Sequence, residues 1–293
     1  MTITVPTSTG PTGTAPAGTV PARTVPAVPA VRAASGTAVR TLVTLGDSTA
    51  VGLGDPLPGG GWRGFPALLG TALGARVVNP SRTGARMACV RREQLPVALD
   101  VLRDGGPSAV VLFAGMNDTL RSDFDPAAVH ADCAAVVGEL RAVGAHVLVI
   151  RYHDHTRVFR MPGPLRRALL RRIAALNGVT DAVAAAHPGG VGVLDLHALP
   201  GGYERAAWSV DRLHPSERGH RMLAAAMAEL LTEAGYGVPS PVSLECAGGM
   251  TVTTAQRVTW LLVKGVPWLV RRGRDLGPVI VQGMFDGLRR PGP

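Results

Sequence analysis

The sequence predicts an α/β protein in which a five-stranded, parallel, doubly wound sheet lies between two layers of helices as a three-layer α/β/α sandwich. Short apolar runs alternate five times with segments of helical periodicity between residues 41 and 236, which is the pattern of repeated strand–helix units. The run at 109–114 is almost continuously apolar, as is typical of a parallel strand that is buried on both faces.

Each predicted element follows from its local pattern. The strands are short runs rich in β-branched and other apolar residues, and they lie at 41–46, 76–79, 109–114, 146–151 and 191–195. The helices have apolar residues at helical spacing, and they lie at 65–73, 92–103, 126–143, 165–176 and 216–234. Because every strand is followed by a helix, the strands are expected to run parallel.

The chain divides into three predicted segments. Residues 1–38 are rich in Pro, Thr and Ala and cannot bury enough apolar surface to offset the entropy of ordering, so they form a disordered lead. Residues 39–237 contain all of the strand–helix alternation and form the globular domain. Residues 238–293 do not continue the alternation and form a basic, partly apolar C-terminal extension.

The charge distribution argues against a nucleic-acid-binding protein. The chain has 30 basic and 21 acidic residues, but residues 1–40 and 250–293 together carry ten of the basic residues and only two of the acidic ones. The globular part is therefore nearly neutral, whereas binding to nucleic acid needs a basic face on the domain.

Cysteine content and the chain start favour a cytoplasmic protein without a structural metal. Cys89, Cys133 and Cys246 are too few and too scattered for a disulfide framework or a zinc site. Residues 1–38 lack the charged start and apolar run of a signal peptide, and no apolar run reaches the roughly 20 residues that span a bilayer.

The extension has one apolar stretch with two interpretations. Trp260 and Trp268 lie within 258–270, and Arg271, Arg272 and Arg274 follow. Aromatic rings beside arginines suit peripheral contact of 258–274 with an anionic membrane surface. Packing of this stretch on the globular domain is the favoured interpretation, because Pro267 interrupts any long amphipathic helix. The oligomeric state is not predicted.

Ser48 is the candidate nucleophile because it follows the first strand directly, in Gly46-Asp47-Ser48. In open α/β sheets, ligands bind at the carboxyl ends of the strands. A serine hydroxyl needs a neighbouring imidazole as its base, and the imidazole needs a partner that fixes its tautomer. His214, just before the last helix, and Asp211, three residues earlier, supply both groups.

Three donors are candidates for an oxyanion hole at the same edge of the sheet. They are the backbone N–H of Ser48, the backbone N–H of Gly84 in the turn after the second strand, and the side-chain amide of Asn117 after the third strand. Each such donor is typically worth about 10²–10³ in turnover. Asp47 and Asp118, which flank two of these residues, are expected to support loops rather than to react.

These residues resemble the signature of the SGNH, or GDSL-type, hydrolases. The four signature positions of that family match Ser48, Gly84, Asn117 and His214 in the same order, and Asp211-Arg212-Leu213-His214 matches its last block. Thr49 stands where the family's leucine usually follows the serine. The segment 62–65, Trp-Arg-Gly-Phe, resembles the actinobacterial branch of the family.

The resemblance implies a flavodoxin-like fold and a serine hydrolase that cleaves small-molecule carboxylic esters, such as an esterase or lipase-like acylhydrolase, with no cofactor. An acyltransferase that uses the same triad is the alternative within this chemistry, and a non-catalytic binding module is the alternative from another class. His153-Asp154-His155 lacks the further ligands of a recognisable metal site, and the loop 152–163 is expected to line the substrate rim.

Overall fold

The computed structural model describes residues 36–249 except for positions 104, 160 and 162. Most of the predicted lead, and the extension from residue 250 onward, therefore lie outside the described residues. The proposed membrane-contact stretch 258–274 is among the undescribed positions.

Five parallel strands form the central sheet, as predicted. The strands of the structure are β1 Thr37–Ala38, β2 Thr41–Gly46, β3 Arg76–Val78, β4 Ser108–Phe113, β5 His146–Arg151, β6 Val191–Asp195 and β7 Tyr236–Gly237. The sheet has the order β3-β2-β4-β5-β6. β3 lies on one side of β2 and β4 on the other, so the order of the strands reverses between β2 and β4. Doubly wound folds bind their ligands in the crevice at such a switch point.

Helices cover both faces of this sheet as a three-layer sandwich. They are α1 Ser48–Val51, α2 Gly64–Leu73, α3 Met87–Cys89, α4 Leu95–Leu102, α5 Met116–Thr119, α6 Pro126–Ala142, α7 Gly163–Ala185 and α8 Glu217–Glu233, with a π-helical turn, Val90–Gln94, between α3 and α4. α2 packs against α8, whereas α6 packs against α4 and α7. α7 extends nine residues beyond the predicted end of its apolar repeat.

The core lies on both sides of β2 and β4. Leu42, Val43 and Leu45 in β2 are fully buried, and every residue of β4 is buried. A strand that is buried on both faces can be apolar at every position. The apolar run at 109–114, which predicted a buried strand, is therefore explained by the position of β4 at the centre of the sheet.

A second, two-stranded parallel sheet joins the two ends of the domain. β1 pairs with β7, with Thr37 opposite Tyr236. The predicted boundary assigned Thr37 and Ala38 to the lead, but their backbone groups pair with a strand some 200 positions away, which local sequence does not reveal.

The first part of the C-terminal extension packs on the domain. The backbone N–H of Ser240 donates to the carbonyl of Ala72 in α2 at 3.1 Å. Arg221 of α8 donates to the carbonyls of Ser243 and Ala247 at 2.9 and 2.8 Å. Within the described ranges, no helix is long and apolar enough to cross a membrane.

Candidate active site

Ser48 is the first residue of α1 and follows a sharp turn at the end of β2, which Gly46 makes possible. Gly46 has φ +152°, and a Cβ there would lie 2.1 Å from the carbonyl oxygen of Phe113, which is far inside van der Waals contact. Glycine is thus required by the close approach of two parallel strands. The turn leaves Ser48 only 9% exposed at the carboxyl edge of the sheet.

Gln94 clamps this turn from the π-helical segment. Its side-chain oxygen accepts from the N–H of Gly46 at 2.7 Å, and its amide donates to the carbonyl of Gly46 at 2.9 Å. Gln94 is 1% exposed, so both bonds are shielded from water. Sequence reasoning misses this residue, because a glutamine 48 positions from its partner carries no local signal.

Ser48, His214 and Asp211 form a continuous chain of hydrogen bonds. His214 Nε2 lies 2.8 Å from Ser48 Oγ, and His214 Nδ1 lies 2.6 Å from Asp211 Oδ2. A carboxylate can only accept, so the proton of the neutral imidazole sits on Nδ1. The lone pair of Nε2 then faces the hydroxyl of Ser48. The structure thus brings together the three residues that the sequence predicted as a triad.

Asp211 is held as a carboxylate by its own loop. Its Oδ1 accepts from Ser209 Oγ at 2.6 Å, from the N–H of Leu213 at 2.9 Å and from the N–H of His214 at 3.0 Å. Burial alone would raise the pKa of Asp211, but the hydrogen bonds from His214 and Ser209 outweigh burial and lower it to about 2. The loop therefore keeps a negative charge beside Nδ1 at neutral pH.

The histidine loop, Ser209–Pro215, is tightly wound and contains one left-handed residue. The N–H of Ser209 donates to the carbonyl of His214 at 2.9 Å, and Arg212 has φ +56°. The loop also approaches the segment after α1 closely. A Cβ on Gly54 would lie 1.9 Å from the carbonyl oxygen of Pro215.

The predicted oxyanion donors line the same pocket as Ser48. Gly84 has φ +79°, and a Cβ there would have no neighbour within 4 Å. Within the described part of the chain, no acceptor engages the backbone N–H of Ser48 or of Gly84. The amide of Asn117 is engaged: it donates to Asp47 Oδ2 at 3.2 Å and to the carbonyl of Ala85 at 3.1 Å. Its role toward an oxyanion stays a prediction.

Asp47 and Asp118 support the loops that carry these donors. Asp47 accepts from the N–H of Thr49 at 3.0 Å and from Asn117. Burial raises the pKa of Asp47 to about 6. Asp118 accepts from the N–H of Met87 at 3.0 Å and from Arg86 at 3.3 Å. Asp118 therefore ties the segment that follows Gly84 to the segment that holds Asn117.

Comparison with known proteins identifies the family. The sequence model of the GDSL-like Lipase/Acylhydrolase family matches residues 44–222. This range is more than half of the chain and includes every residue of the site. The chain belongs to this family. It is a serine ester hydrolase, and a comparison with curated proteins gives no significant match.

Solved structures agree with this GDSL-family membership. The crystal structure of TesA is 26% identical, with 67% of this chain and 99% of that chain covered and a TM-score of 0.51. LAE5, an alpha/beta hydrolase enzyme from the metagenome of Lake Arreo in Spain, is 21% identical, with 67% and 96% covered and a TM-score of 0.51. A catalytic mutant of Axe2, an acetylxylan esterase from Geobacillus stearothermophilus, is 20% identical, with 68% and 96% covered and a TM-score of 0.50. The last two share the fold.

In this GDSL hydrolase, the segment 62–65 has a structural role. Arg63 donates to Asp55 through Nε at 2.9 Å and Nη2 at 3.0 Å, and it pairs with Glu217 at 2.7 Å. Asp55 is fully buried. The segment therefore fastens the start of α2 to the loop after Ser48 and to α8.

Two histidines of the 152–163 loop border the cavity that Ser48 and His214 line. His153 Nε2 lies 3.3 Å from His155 Nδ1, and both rings pack on Trp208 with centroids 5.2 and 5.1 Å away. Burial lowers the pKa of His153 to about 3 and that of His155 to about 4, so both are neutral at pH 7. In the described ranges, no group of three or more His, Cys, Asp or Glu side chains could hold a metal ion.

Proposed function

We propose that this hydrolase cleaves carboxylic esters through an acyl-enzyme on Ser48, with His214 as acid and base and Asp211 as its partner. The observation that carries the proposal is the continuous series of hydrogen bonds from Ser48 Oγ through His214 to Asp211, with distances of 2.8 and 2.6 Å. This arrangement meets the geometric requirement for activating a serine.

Acylation begins when Ser48 Oγ attacks the ester carbonyl carbon and its proton passes to His214 Nε2. The imidazolium that forms is stabilised by Asp211, whose depressed pKa keeps it ionised. Collapse of the tetrahedral intermediate breaks the bond to the leaving alcohol, and His214 returns the proton to that oxygen. Ser48 is then esterified by the acyl group.

Deacylation repeats these steps with water. His214 takes a proton from the attacking water, the second tetrahedral intermediate collapses, and the proton returns to Ser48 Oγ as the carboxylic acid leaves. His214 acts as base in the first half of each step and as acid in the second. No cofactor takes part in this scheme.

The oxyanion of each intermediate is proposed to accept from the backbone N–H groups of Ser48 and Gly84. Support comes from the pocket that Ser48 and Gly84 both line and from the lack of an acceptor for either N–H among the described residues. Asn117 would be a third donor once it exchanges its 3.1 Å bond to the Ala85 carbonyl for one to the oxyanion. The bond to Asp47 would hold the amide in place during that exchange.

The test is covalent labelling and turnover with p-nitrophenyl esters. Wild-type protein should react with a fluorophosphonate, and peptide mapping should locate the adduct on Ser48. Ser48→Ala should remove the adduct and lower turnover by at least about 10⁴-fold with an unchanged circular dichroism spectrum. Adding an acceptor alcohol measures how much acyl group passes to alcohol instead of water, which separates hydrolysis from acyl transfer.

Ser240→Ala is the matched control, because Ser240 is exposed and makes no contact with the catalytic groups. It should label and turn over as the wild type does. An adduct on any other serine, or a Ser48→Ala protein with near wild-type turnover, would contradict the proposal.

A further inference from the structure

The catalytic serine borders a cavity of about 390 Å³ that Ser48 and His214 both line. Small-molecule sites commonly measure about 300–1,000 Å³, so the cavity can hold a sizeable part of a substrate. An acetyl group would leave most of it empty.

Hydrocarbon and thioether side chains make most of the cavity wall away from the triad. They come in pairs from three helical segments: Met116 and Leu120 at α5, Leu165 and Leu169 from α7, and Met222 and Leu223 from α8. These six side chains carry no N–H or O–H group for a sugar hydroxyl or a carboxylate. A polar acyl group would lose its water there without compensation.

Two of the polar groups that border the apolar part are already engaged by the protein. Thr119 Oγ1 donates to the carbonyl of Met116 at 2.7 Å. Arg172 donates through Nη1 to the carbonyl of Thr119 at 2.9 Å, and its guanidinium lies 5.5 Å from the ring of Phe124. Arg172 therefore donates to the protein backbone.

We propose that this cavity binds the acyl chain, and that the enzyme prefers esters of uncharged, unbranched acyl groups of about six to ten carbons. One water molecule occupies roughly 30 Å³ in the liquid, and a carbon-sized group is taken to need about the same volume. The cavity therefore holds about a dozen such groups. The inference rests on the proposed function, because Ser48 must be the residue that is acylated.

The methionines in the wall determine how sharp this preference is. Met116 and Met222 have unbranched, polarisable side chains that adapt to the shape of a neighbour. The optimum therefore spans several neighbouring chain lengths and does not fall on a single one.

The expected size of the preference follows from the burial of methylene groups. Each methylene moved from water into an apolar site favours binding by about fourfold. Six methylenes separate acetate from octanoate. Even if only part of this gain reaches the transition state, kcat/KM should rise by about 10²-fold or more between the two esters.

The experiment uses the full-length chain and p-nitrophenyl acetate, butanoate, hexanoate, octanoate and decanoate, each below its micelle concentration. Wild-type kcat/KM should rise from acetate to a broad maximum between hexanoate and decanoate. Ala168→Phe puts a large ring on a buried position of α7 that lines the cavity. It should lower the octanoate-to-acetate ratio of kcat/KM by at least about tenfold.

Two further variants keep this test decisive. Leu165→Trp narrows the cavity at a half-buried position that tolerates a larger side chain more readily, and it should shift the ratio in the same direction. Ala174→Phe is the matched control, since Ala174 lies on the same helix but is exposed, and it should keep the wild-type ratio.

The outcomes separate the two proposals. Turnover that is highest on acetate, or independent of chain length, or a ratio that changes equally in Ala168→Phe and Ala174→Phe, would overturn the acyl-chain inference while the serine mechanism stands. No turnover on any ester together with no fluorophosphonate adduct on Ser48 would instead overturn the proposed function.

Discussion

The two halves of the proposed active site are held in place in different ways. The nucleophile turn, Gly46–Ser48, depends on distant parts of the chain: the N–H of Asp47 donates to the carbonyl of Phe113 at 3.2 Å, and Gln94 pairs with both backbone groups of Gly46. The histidine loop, Ser209–Pro215, is held largely by bonds among its own residues, with Asp211 at their centre.

Because of this difference, substitutions in the two regions should affect catalysis and folding to different extents. A substitution in the histidine loop can change the chemistry while it leaves the sheet intact, because few bonds leave the loop. A side chain at Gly46, by contrast, disturbs the contact between β2 and β4 at the centre of the sheet. The three predictions below are given in order of expected effect, and the first two test this contrast.

Asp211→Asn should have the largest effect, a loss of about 10³–10⁴ in kcat/KM, with little change in melting temperature. The oxygen of the amide would remain with the three donors that now bind Oδ1, so its NH₂ group would face His214 Nδ1. The imidazole would then carry its proton on Nε2, which is the wrong tautomer for accepting one from Ser48.

Steady-state kinetics and thermal melts of Asp211→Asn give the two readouts. Asp181→Asn, a carboxylate-to-amide change at an exposed position, serves as the control and should leave the kinetics unchanged. A loss of less than tenfold would contradict the role of Asp211 as the partner of His214, and a large fall in melting temperature would show that the histidine loop is not the self-contained unit described above.

Gly46→Ala should lower the free energy of unfolding by about 2–4 kcal/mol, because the new Cβ meets a backbone carbonyl and φ lies in a strained region. Gly144→Ala separates these causes: Gly144 has φ +82° but nothing within 4 Å of a new Cβ. Its cost should be only about 1 kcal/mol. Urea unfolding measures the stability of both variants. Equal losses of stability would mean that the protein relieves the close contact with Phe113 at no energetic cost.

The pH dependence of stability should show the smallest effect. His220 is fully buried, accepts from the N–H of Phe65 at 3.2 Å and lies 2.9 Å from the carbonyl of Leu53, to which Nε2 donates. Burial lowers its pKa from 6.5 to about 4. Between these values the unfolded chain binds a proton that the folded chain does not. The free energy of unfolding therefore falls by about 2 kcal/mol from pH 7 to pH 5 through this group.

His220→Asn should be less stable at pH 7 and should lose less stability than the wild type between pH 7 and pH 5. His130→Gln, at an exposed histidine, should keep the wild-type slope. Urea unfolding at both pH values measures the slopes, and an unchanged slope in His220→Asn would contradict a neutral His220 in the fold.

The parts of the molecule that sequence predicts are those set by local patterns. The strands at 41–46, 146–151 and 191–195 match the structure residue for residue, since each is a short apolar run between clear turns. Asp211 and His214 are three residues apart, so their contact needs only one loop. Ser48 follows from its place at the end of a strand.

The parts that sequence misses depend on contacts between distant segments. Gln94 meets Gly46 across 48 positions, and Asp118 meets the N–H of Met87 across 31. Neither glutamine nor aspartate has a local pattern that reveals such a partner. The engagement of the Asn117 amide by Asp47 and Ala85 likewise depends on two loops that meet only in the folded protein.

The contact between Gly54 and Pro215 has one further consequence. The segment that follows Ser48 and the loop that carries His214 approach each other there through their backbones, and a Cβ on Gly54 would lie 1.9 Å from the carbonyl oxygen of Pro215. We therefore expect any side chain at position 54 to displace the loop that carries His214 from the segment that carries Ser48, and so to lengthen the 2.8 Å contact between these two residues.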